Sequence, residues 1–119
     1  MNGLSTYQEN QVLSQNRGQL VVTLYEGAIK FLKQAVLAMD RGDYLEKGRL
    51  IGKALDIIQE LDVTLNMEAG GEISQNLHKL YLFMVEQLLK ANVQKDAQKI
   101  QGVVSLLDDL NQGWKTVAS

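Results

Sequence analysis

The stretch LNMEAGGEISQNLHKLY, from Leu65 to Tyr81, holds the only Gly-Gly pair in the 119-residue chain and decides how its apolar segments are joined. Apolar residues at helical spacing lie on both sides of the pair. A phosphate-binding loop of the Walker type follows a strand and has the pattern Gly-x-x-x-x-Gly-Lys-Ser/Thr, and this stretch has neither feature. The pair is instead typical of a break between two helices, where Gly70 or Gly71 adopts a positive φ and Glu72 opens the second helix.

Upstream of this break, the helical spacing of apolar residues predicts two helices. The first is expected to start at Asn16, a good N-cap residue, and to run to about Met39. Gly42 then suits the C′ position that ends a helix. The second is expected to start at Asp43, with Glu46 three residues later as in a capping box.

Downstream of the break, two more helices are predicted. The third follows Gly71, and it has so few polar positions that we expect it to be the central helix of the fold. The fourth starts near Asp96, and its apolar residues recur every three or four positions: Ile100, Val103, Leu107, Leu110, Trp114 and Val117. Short connections favour antiparallel neighbours. The prediction is an all-α fold, an antiparallel up-down-up-down bundle of four long helices in one domain spanning 1–119, with 1–15 as a loosely ordered N-terminal segment.

The composition argues against several classes of function. The net charge is −2 and there is no basic block, so nucleic acid is a poor partner. The absence of Cys excludes disulfides and thiolate chemistry and fits the cytosol. The start MNGLSTYQEN lacks a basic region followed by an apolar run, so we expect no secretory signal there. No apolar stretch approaches the roughly 18 residues that span a bilayer, so no membrane insertion is expected.

Residues for catalysis or metal binding are sparse. His78 is the only histidine, and no carboxylate lies one turn away from it on the predicted helix, which favours a structural role. Asp108 and Asp109 are adjacent and so point about 100° apart on a helix, which does not make an acid/base pair. With one His and no Cys, a nucleophilic triad is not supported. We therefore predict no enzyme, no cofactor and no metal site.

The chain has more apolar surface than a bundle of this size needs. A helix lying on a core needs an apolar stripe about 100° wide, and the first three predicted helices each carry more. Gly48 and Gly52 inside the second helix are expected to allow close approach of a neighbouring helix. Two explanations of the surplus stay open: a thicker core or a homodimer, and a groove for an amphipathic helix or an extended segment of a partner.

Five segments and one aromatic residue point to a known family. They are TYQENQV (Thr6 to Val12), TLYEGAIKFLKQA (Thr23 to Ala35), GDYLEKGRLIGKALDIIQEL (Gly42 to Leu61), GGEISQNLHKLYLFM (Gly70 to Met84), LLKANVQKDAQKI (Leu88 to Ile100) and Trp114. At matching spacing over nearly the whole chain, they resemble the FliS family of flagellar export chaperones. The chain departs from the family pattern in two places: the first helix starts without a proline, so that Asn16 must cap it, and Asn66 stands where the family has an acid.

The resemblance implies a bacterial cytoplasmic chaperone that binds the disordered C-terminal region of newly made flagellin. Such a chaperone prevents premature polymerisation and aids delivery to the flagellar type III export apparatus. A disordered segment that orders on binding covers a large surface at modest affinity, which suits a cargo that must later be released. The alternative is a homo-oligomeric helical-bundle adaptor with no flagellin cargo.

The resemblance also suggests where cargo binds. A groove built from the surplus faces of the first three helices would use Leu20, Leu24, Tyr25, Ile58, Leu61, Leu65, Leu77, Tyr81 and Met84. Tyr25 and Tyr81 are favoured among these, because Tyr tolerates a partly wet edge and often anchors interfaces. By match to the family pattern, Tyr7, Gln8 and Val12 in the N-terminal segment are candidates for covering the groove or contacting the export-gate protein.

Overall fold

The computed structural model describes residues 17–65 and 67–118, which form four α-helices and, within these ranges, no strand. The helices are α1 (Arg17–Asp40), α2 (Tyr44–Val63), α3 (Met67–Gln94) and α4 (Ala97–Ala118). Each helix packs against the next one in the chain, and α4 returns to pack against α1, which closes a ring of four. The predicted all-α up-down-up-down bundle is confirmed. No helix in these ranges has the length and apolar character that crossing a membrane requires.

The corner between α1 and α2 has the geometry that its sequence predicted. Gly42 has a φ of +77°. Its N–H donates to Met39 O at 3.1 Å, and the Asp43 N–H donates to Ala38 O at 2.8 Å, the two bonds of a Schellman motif. Asp43 then caps α2, because its Oδ1 accepts from the Glu46 N–H at 3.1 Å. The predicted caps at Gly42 and Asp43 are confirmed, whereas Asn16 lies outside the described residues.

Both glycines of the Gly-Gly pair have a physical reason to be there. Gly71 has φ 54° and ψ −130°, a backbone conformation that breaks the helical path inside α3 and that side chains with a Cβ rarely adopt. A Cβ on Gly70 would lie 1.7 Å from Oγ of Ser74 and 2.8 Å from its Cβ. Gly71 therefore makes the break, and Gly70 leaves room for the buried Ser74. Asn66, just upstream, lies outside the described residues.

The junction between α3 and α4 contains a left-handed residue that is not glycine. Lys95 has a φ of 55°, and the following N–H, that of Asp96, donates to Ala91 O at 3.0 Å. Asp96 also caps α4, since its Oδ1 accepts from the backbone N–H groups of Gln98 at 3.0 Å and Lys99 at 3.3 Å. The predicted start of the fourth helix near Asp96 is confirmed, whereas no glycine marks the left-handed turn before it.

A buried lysine ties α2 to the end of α3. The Lys47 Nζ donates to Asn92 O at 2.8 Å, one of the carbonyls that the last turn of a helix leaves without an intrahelical partner. Burial lowers the pKa of Lys47, and the nearby positive charge of Lys95 lowers it further. Both ammonium groups lie over the Tyr44 ring, at 5.6 Å and 4.1 Å from its centroid. These contacts close the bundle at the end opposite the Gly-Gly pair.

The helix at the centre of the packing is α1, and the prediction of a central third helix is wrong. Of the four helices, α1 makes the most extensive contacts with its neighbours. By contrast, α3 leaves half or more of five large apolar side chains in water: Ile73, Leu82, Phe83, Leu89 and Val93. A high apolar content does not say which side chains find a neighbour, because α3 packs mainly through one stripe.

The glycines inside α2 do not mark a close approach of a neighbouring helix, and the tightest of three helical glycines is Gly27. A Cβ on Gly27 of α1 would lie 3.4 Å from Ile57 Cδ1 of α2. A Cβ on Gly52 would meet nothing within 4 Å, and one on Gly48 would lie 3.8 Å from Asn92 Oδ1. The interpretation of Gly52 as a close-approach position is therefore wrong, and Gly48 has only an ordinary contact.

Candidate interaction groove

An apolar groove lies between the start of α3 and the end of α4. It has a volume of about 280 Å³ and is lined by Ile73, Leu77, Leu110, Gly113, Trp114 and Val117. Every lining residue is apolar or glycine. Ile73 and Val117 at its rim are 72% and 77% exposed. Contiguous exposed apolar surface of this kind is typical of a protein–protein interaction site.

The groove exists because the apolar stripe of α4 extends further along the helix than the core does. Ile100, Val103 and Leu107 are buried, Leu110 and Trp114 are half-buried, and Val117 lies in water. On the other side, α3 resumes its helical path only after Gly71, so Ile73 stands in the first turn of this main segment. Gly113 adds no side chain, which leaves the backbone of α4 as part of the wall. The sequence therefore builds an apolar stripe with no internal partner at this end.

The Trp114 side chain connects the groove to the centre of the core. Its ring centroid lies 6.3 Å from that of Tyr25, with a tilt of 54° between the planes. Tyr25 in turn shares a 2.6 Å hydrogen bond with Tyr81 between the two hydroxyl oxygens, in which either group can be the donor. The wall of the groove therefore rests on a packed aromatic cluster, which gives a bound segment a rigid surface.

Burial controls the chemistry of the two tyrosines. It raises the pKa of Tyr25, and the hydrogen bond from Tyr81 partly opposes this rise. The pKa of Tyr81 is raised further, first by burial and then by its hydrogen bond to Tyr25. The Trp114 indole N–H is close enough to Tyr25 to oppose the rise in the pKa of that residue, although it makes no hydrogen bond of good geometry. Both phenols are neutral over the whole physiological range.

The structure places the predicted cargo-binding residues in two groups. Leu77 lines the groove, and Leu20, Leu24 and Leu65 keep apolar surface in water at the same end of the bundle. The other five lie in the core: Tyr25, Ile58, Leu61, Tyr81 and Met84. Direct contact between cargo and these five stays a prediction, since none has free surface in this structure. Tyr7, Gln8 and Val12 lie outside the described residues.

One part of the reasoning about the tyrosines is wrong. Tyr25 and Tyr81 were expected at a partly wet edge, but they are 0% and 2% exposed. The physical reason is that the two hydroxyls share a hydrogen bond with each other, which lowers the cost of burying both of them. A pairing between residues 56 positions apart leaves no mark on the local sequence pattern.

Four lining residues, Ile73, Leu110, Trp114 and Val117, were not predicted as site residues, because their spacing assigned them to inward-facing stripes. The available signal was their position within two turns of a helix end, where the facing helix also starts or stops. An apolar residue there has fewer neighbours than one at the middle of the bundle. Helix-end position together with stripe membership would have identified the groove.

The one histidine makes a structural contact. His78 Nδ1 lies 2.7 Å from Asp62 Oδ1, which joins α3 to α2 on either side of the Gly-Gly break. Within 17–65 and 67–118, no three residues among His, Cys, Asp and Glu come together as a metal site would require. His78 therefore serves as an interhelical tie in this part of the chain.

Comparison with known proteins finds relatives over nearly the whole chain. The family model described as "Flagellar protein FliS" matches residues 1–119. The chain is similar to the flagellar secretion chaperone FliS of Salmonella typhimurium, with 40% identity over 111 residues that cover 92% of this chain and 82% of that protein. It is 38% identical over 122 residues to the flagellar secretion chaperone FliSB of Pseudomonas aeruginosa, and the match covers 99% of this chain and 97% of that protein. It is 33% identical over 114 residues to the flagellar secretion chaperone FliS of Bacillus subtilis, and the match covers 96% of this chain and 84% of that protein.

Proposed function

The chain belongs to the FliS family of flagellar proteins, and from that premise we propose that it is a cytoplasmic export chaperone for flagellin. It binds the disordered C-terminal region of flagellin, prevents premature polymerisation and aids delivery to the flagellar type III export apparatus. The names of its relatives, flagellar secretion chaperones, support the export role.

The observation that carries this proposal is the apolar groove between α3 and α4. Flagellin subunits assemble by burying apolar side chains of their terminal regions against one another. A chaperone that covers the same side chains blocks that association. The groove offers apolar walls and an exposed rim at Ile73 and Val117, which suits an amphipathic helix or an extended segment with spaced apolar residues.

The energetics favour reversible binding. A disordered segment loses conformational freedom when it binds, which offsets part of the apolar burial. The core beneath the groove is already packed through Trp114 and Tyr25, so the chaperone itself loses little freedom. We therefore expect reversible binding, which suits a cargo that is shielded first and released later.

The N-terminal segment has a proposed role at the same site. Tyr7, Gln8 and Val12 precede Arg17, where α1 begins at the end of the bundle that holds the groove. We propose that this segment covers the groove before cargo arrives and then contacts the export-gate protein. If so, Tyr7→Ala with Val12→Asp tightens cargo binding, because a competitor for the groove is weakened. Unchanged or weaker cargo binding in this double variant contradicts the covering role.

Isothermal titration calorimetry tests the proposed function. The titrant is the C-terminal region of the flagellin encoded in the same genome. The proposal predicts saturable binding with a negative heat-capacity change, the marker of apolar burial. Absence of binding at protein concentrations of about 50 μM, where an interaction of micromolar affinity saturates, would contradict it.

One observation favours a second candidate, a self-associating bundle without cargo. The outer face of α3 exposes Leu82, Phe83, Leu89 and Val93, and a second copy of the chain is one partner that could cover this face. Sedimentation equilibrium separates the two functions. A stable dimer that does not bind flagellin supports the adaptor, and a monomer that binds flagellin supports the chaperone.

A further inference from the structure

A second cleft lies on the other side of α4, between that helix and α1. It has a volume of about 350 Å³, and its walls include Ile29, Lys30, Lys33, Asp108, Asn111 and Lys115. Whereas the apolar groove carries no charge, this cleft presents three lysines against two carboxylates, those of Asp108 and Glu26. A ligand that enters it therefore meets polar groups and a small excess of positive charge.

Asn111 is the unusual residue of this cleft. Its side chain is 1% exposed, and neither Nδ2 nor Oδ1 has a hydrogen-bond partner. Nearly all buried polar groups in proteins are paired, because an unpaired one loses its hydration without compensation. A leucine, which has the same branching and no polar atom, would occupy a helix interface without that loss. A buried donor and a buried acceptor on one side chain indicate a ligand that supplies both partners.

We propose that this cleft binds a Gln or Asn side chain of the cargo segment, in a carboxamide pair with Asn111. In this pair the cargo NH₂ donates to Asn111 Oδ1, and Asn111 Nδ2 donates to the cargo carbonyl. A side chain is the better occupant than a peptide backbone, because both polar atoms of Asn111 are buried and a side chain projects further from its own chain than a backbone amide does. The inference rests on the proposed function and deepens it by naming a specificity element of the cargo.

The charges around the cleft refine the expected cargo sequence. Lys30, Lys33 and Lys115 outnumber the two carboxylates of the lining, so an acidic residue beside the carboxamide is favoured. Asn111 also lies only three positions before Trp114, which lines the apolar groove. A cargo segment that engages both places has its register fixed. A segment with an apolar side chain at the carboxamide position is disfavoured, since Asn111 then stays buried and unpaired.

The decisive variant is Asn111→Leu, which removes both unpaired polar groups and keeps the branching pattern of the side chain. We expect its unfolding midpoint in urea to rise and its affinity for the flagellin C-terminal region to fall about tenfold, the size of effect that losing a buried hydrogen-bonded pair has. The matched control is Gln112→Leu, the same chemical change at an exposed neighbour outside the cleft. The control should leave the affinity unchanged. If Asn111 has only a structural role, Asn111→Leu changes the unfolding midpoint but not the affinity for the flagellin segment.

A second arm identifies the cargo residue. Each Gln and Asn of the flagellin segment is replaced in turn by Leu. One replacement should weaken binding to the wild-type chaperone about tenfold and have no further effect on Asn111→Leu, as expected for two groups in contact. If Asn111→Leu does not fold, the side-chain amide resonance of Asn111 in the wild-type protein reports the same contact by shifting on saturation with cargo.

The outcomes separate this inference from the function on which it rests. Wild-type binding with equal affinity in Asn111→Leu, or an unshifted Asn111 resonance, overturns the carboxamide pair and leaves the chaperone function standing. Absence of wild-type binding overturns both. Weaker binding by Gln112→Leu as well as by Asn111→Leu also overturns the pair, because the effect is then not confined to the cleft.

Discussion

The hydroxyl oxygens of Tyr25 and Tyr81 lie 2.6 Å apart and link α1 to α3 across the diagonal of the bundle. The two helices occupy opposite corners of the ring of four, so this side-chain bridge spans the core. Both residues are essentially unexposed. Because Trp114 packs on Tyr25 from the side of the groove, the bridge also supports the surface to which we assign cargo binding.

Removing one member of this pair should destabilise the protein. Tyr81→Phe leaves the Tyr25 hydroxyl buried without its partner, and we expect a loss of about 1–2 kcal/mol in the free energy of unfolding. The double variant Tyr25→Phe/Tyr81→Phe should lose less than the sum of the two single losses, because it leaves no orphaned hydroxyl. Urea unfolding of the four proteins measures this coupling. Strictly additive losses would mean that the hydroxyls do not interact.

Alkaline pH should weaken the fold through the same pair. Burial raises the pKa of both phenols, so above the ordinary tyrosine pKa of about 10 the folded state binds more protons than the unfolded state. The stabilising contribution is complete below that pH and is lost progressively above it. We expect unfolding free energy to fall more steeply between about pH 9 and about pH 11 in the wild type than in Tyr25→Phe/Tyr81→Phe.

The difference between the pH profiles of the wild type and Tyr25→Phe/Tyr81→Phe removes the contribution of other titrating groups. Lys47 has a pKa lowered by burial and therefore acts in the opposite direction, but it is present in both proteins and cancels in the difference. Parallel pH profiles would contradict a buried, proton-holding tyrosine pair.

Replacing glycine by alanine should have opposite effects on stability at Gly71, in the Gly-Gly break, and at Gly52, inside α2. Gly71→Ala forces a Cβ into a backbone conformation with φ 54° and should cost about 1–3 kcal/mol of stability. Gly52→Ala lies inside α2, where a Cβ meets nothing within 4 Å, and it should gain up to about 1 kcal/mol from helix propensity. Thermal or urea unfolding measures both. A stabilised Gly71→Ala would show that the break does not need glycine.

The parts of the fold that depend only on residues close together in the sequence could be predicted. The Asp43 cap, the left-handed Gly42 and the break at Gly71 are local events, each determined by backbone preferences within a few positions. Lys95 was not foreseen, because it takes a left-handed conformation that its residue type disfavours. The contacts that hold it, including its ammonium over Tyr44, come from a distant part of the chain.

The site was harder to predict because exposure depends on contacts between helices. Helical periodicity correctly showed that Leu77 and Val117 belong to apolar stripes, but it did not show that Leu77 would be buried and Val117 left in water. The burial of Tyr25 depends on Tyr81 and Trp114, which lie far from it in sequence. The existence of surplus apolar surface was therefore foreseeable from periodicity alone, whereas its position at the ends of α3 and α4 follows only when the distance of each residue from its helix end is considered as well.

The central claim is that the groove between α3 and α4 binds flagellin. Ile73→Asp and Val117→Lys change exposed rim residues, so each should alter unfolding free energy by no more than about 0.5 kcal/mol. Leu45→Asp is the matched control, an apolar residue that is 88% exposed at the opposite end of the bundle. All three variants keep the aromatic core intact.

Calorimetric titration of these variants with the flagellin C-terminal region is the most direct test. We expect both groove variants to bind at least about tenfold more weakly than the wild type, since each loses about 1.5–3 kcal/mol of apolar burial. We expect Leu45→Asp to bind like the wild type. Wild-type affinity in Ile73→Asp and Val117→Lys, both of them folded, would contradict the assignment of cargo binding to this groove.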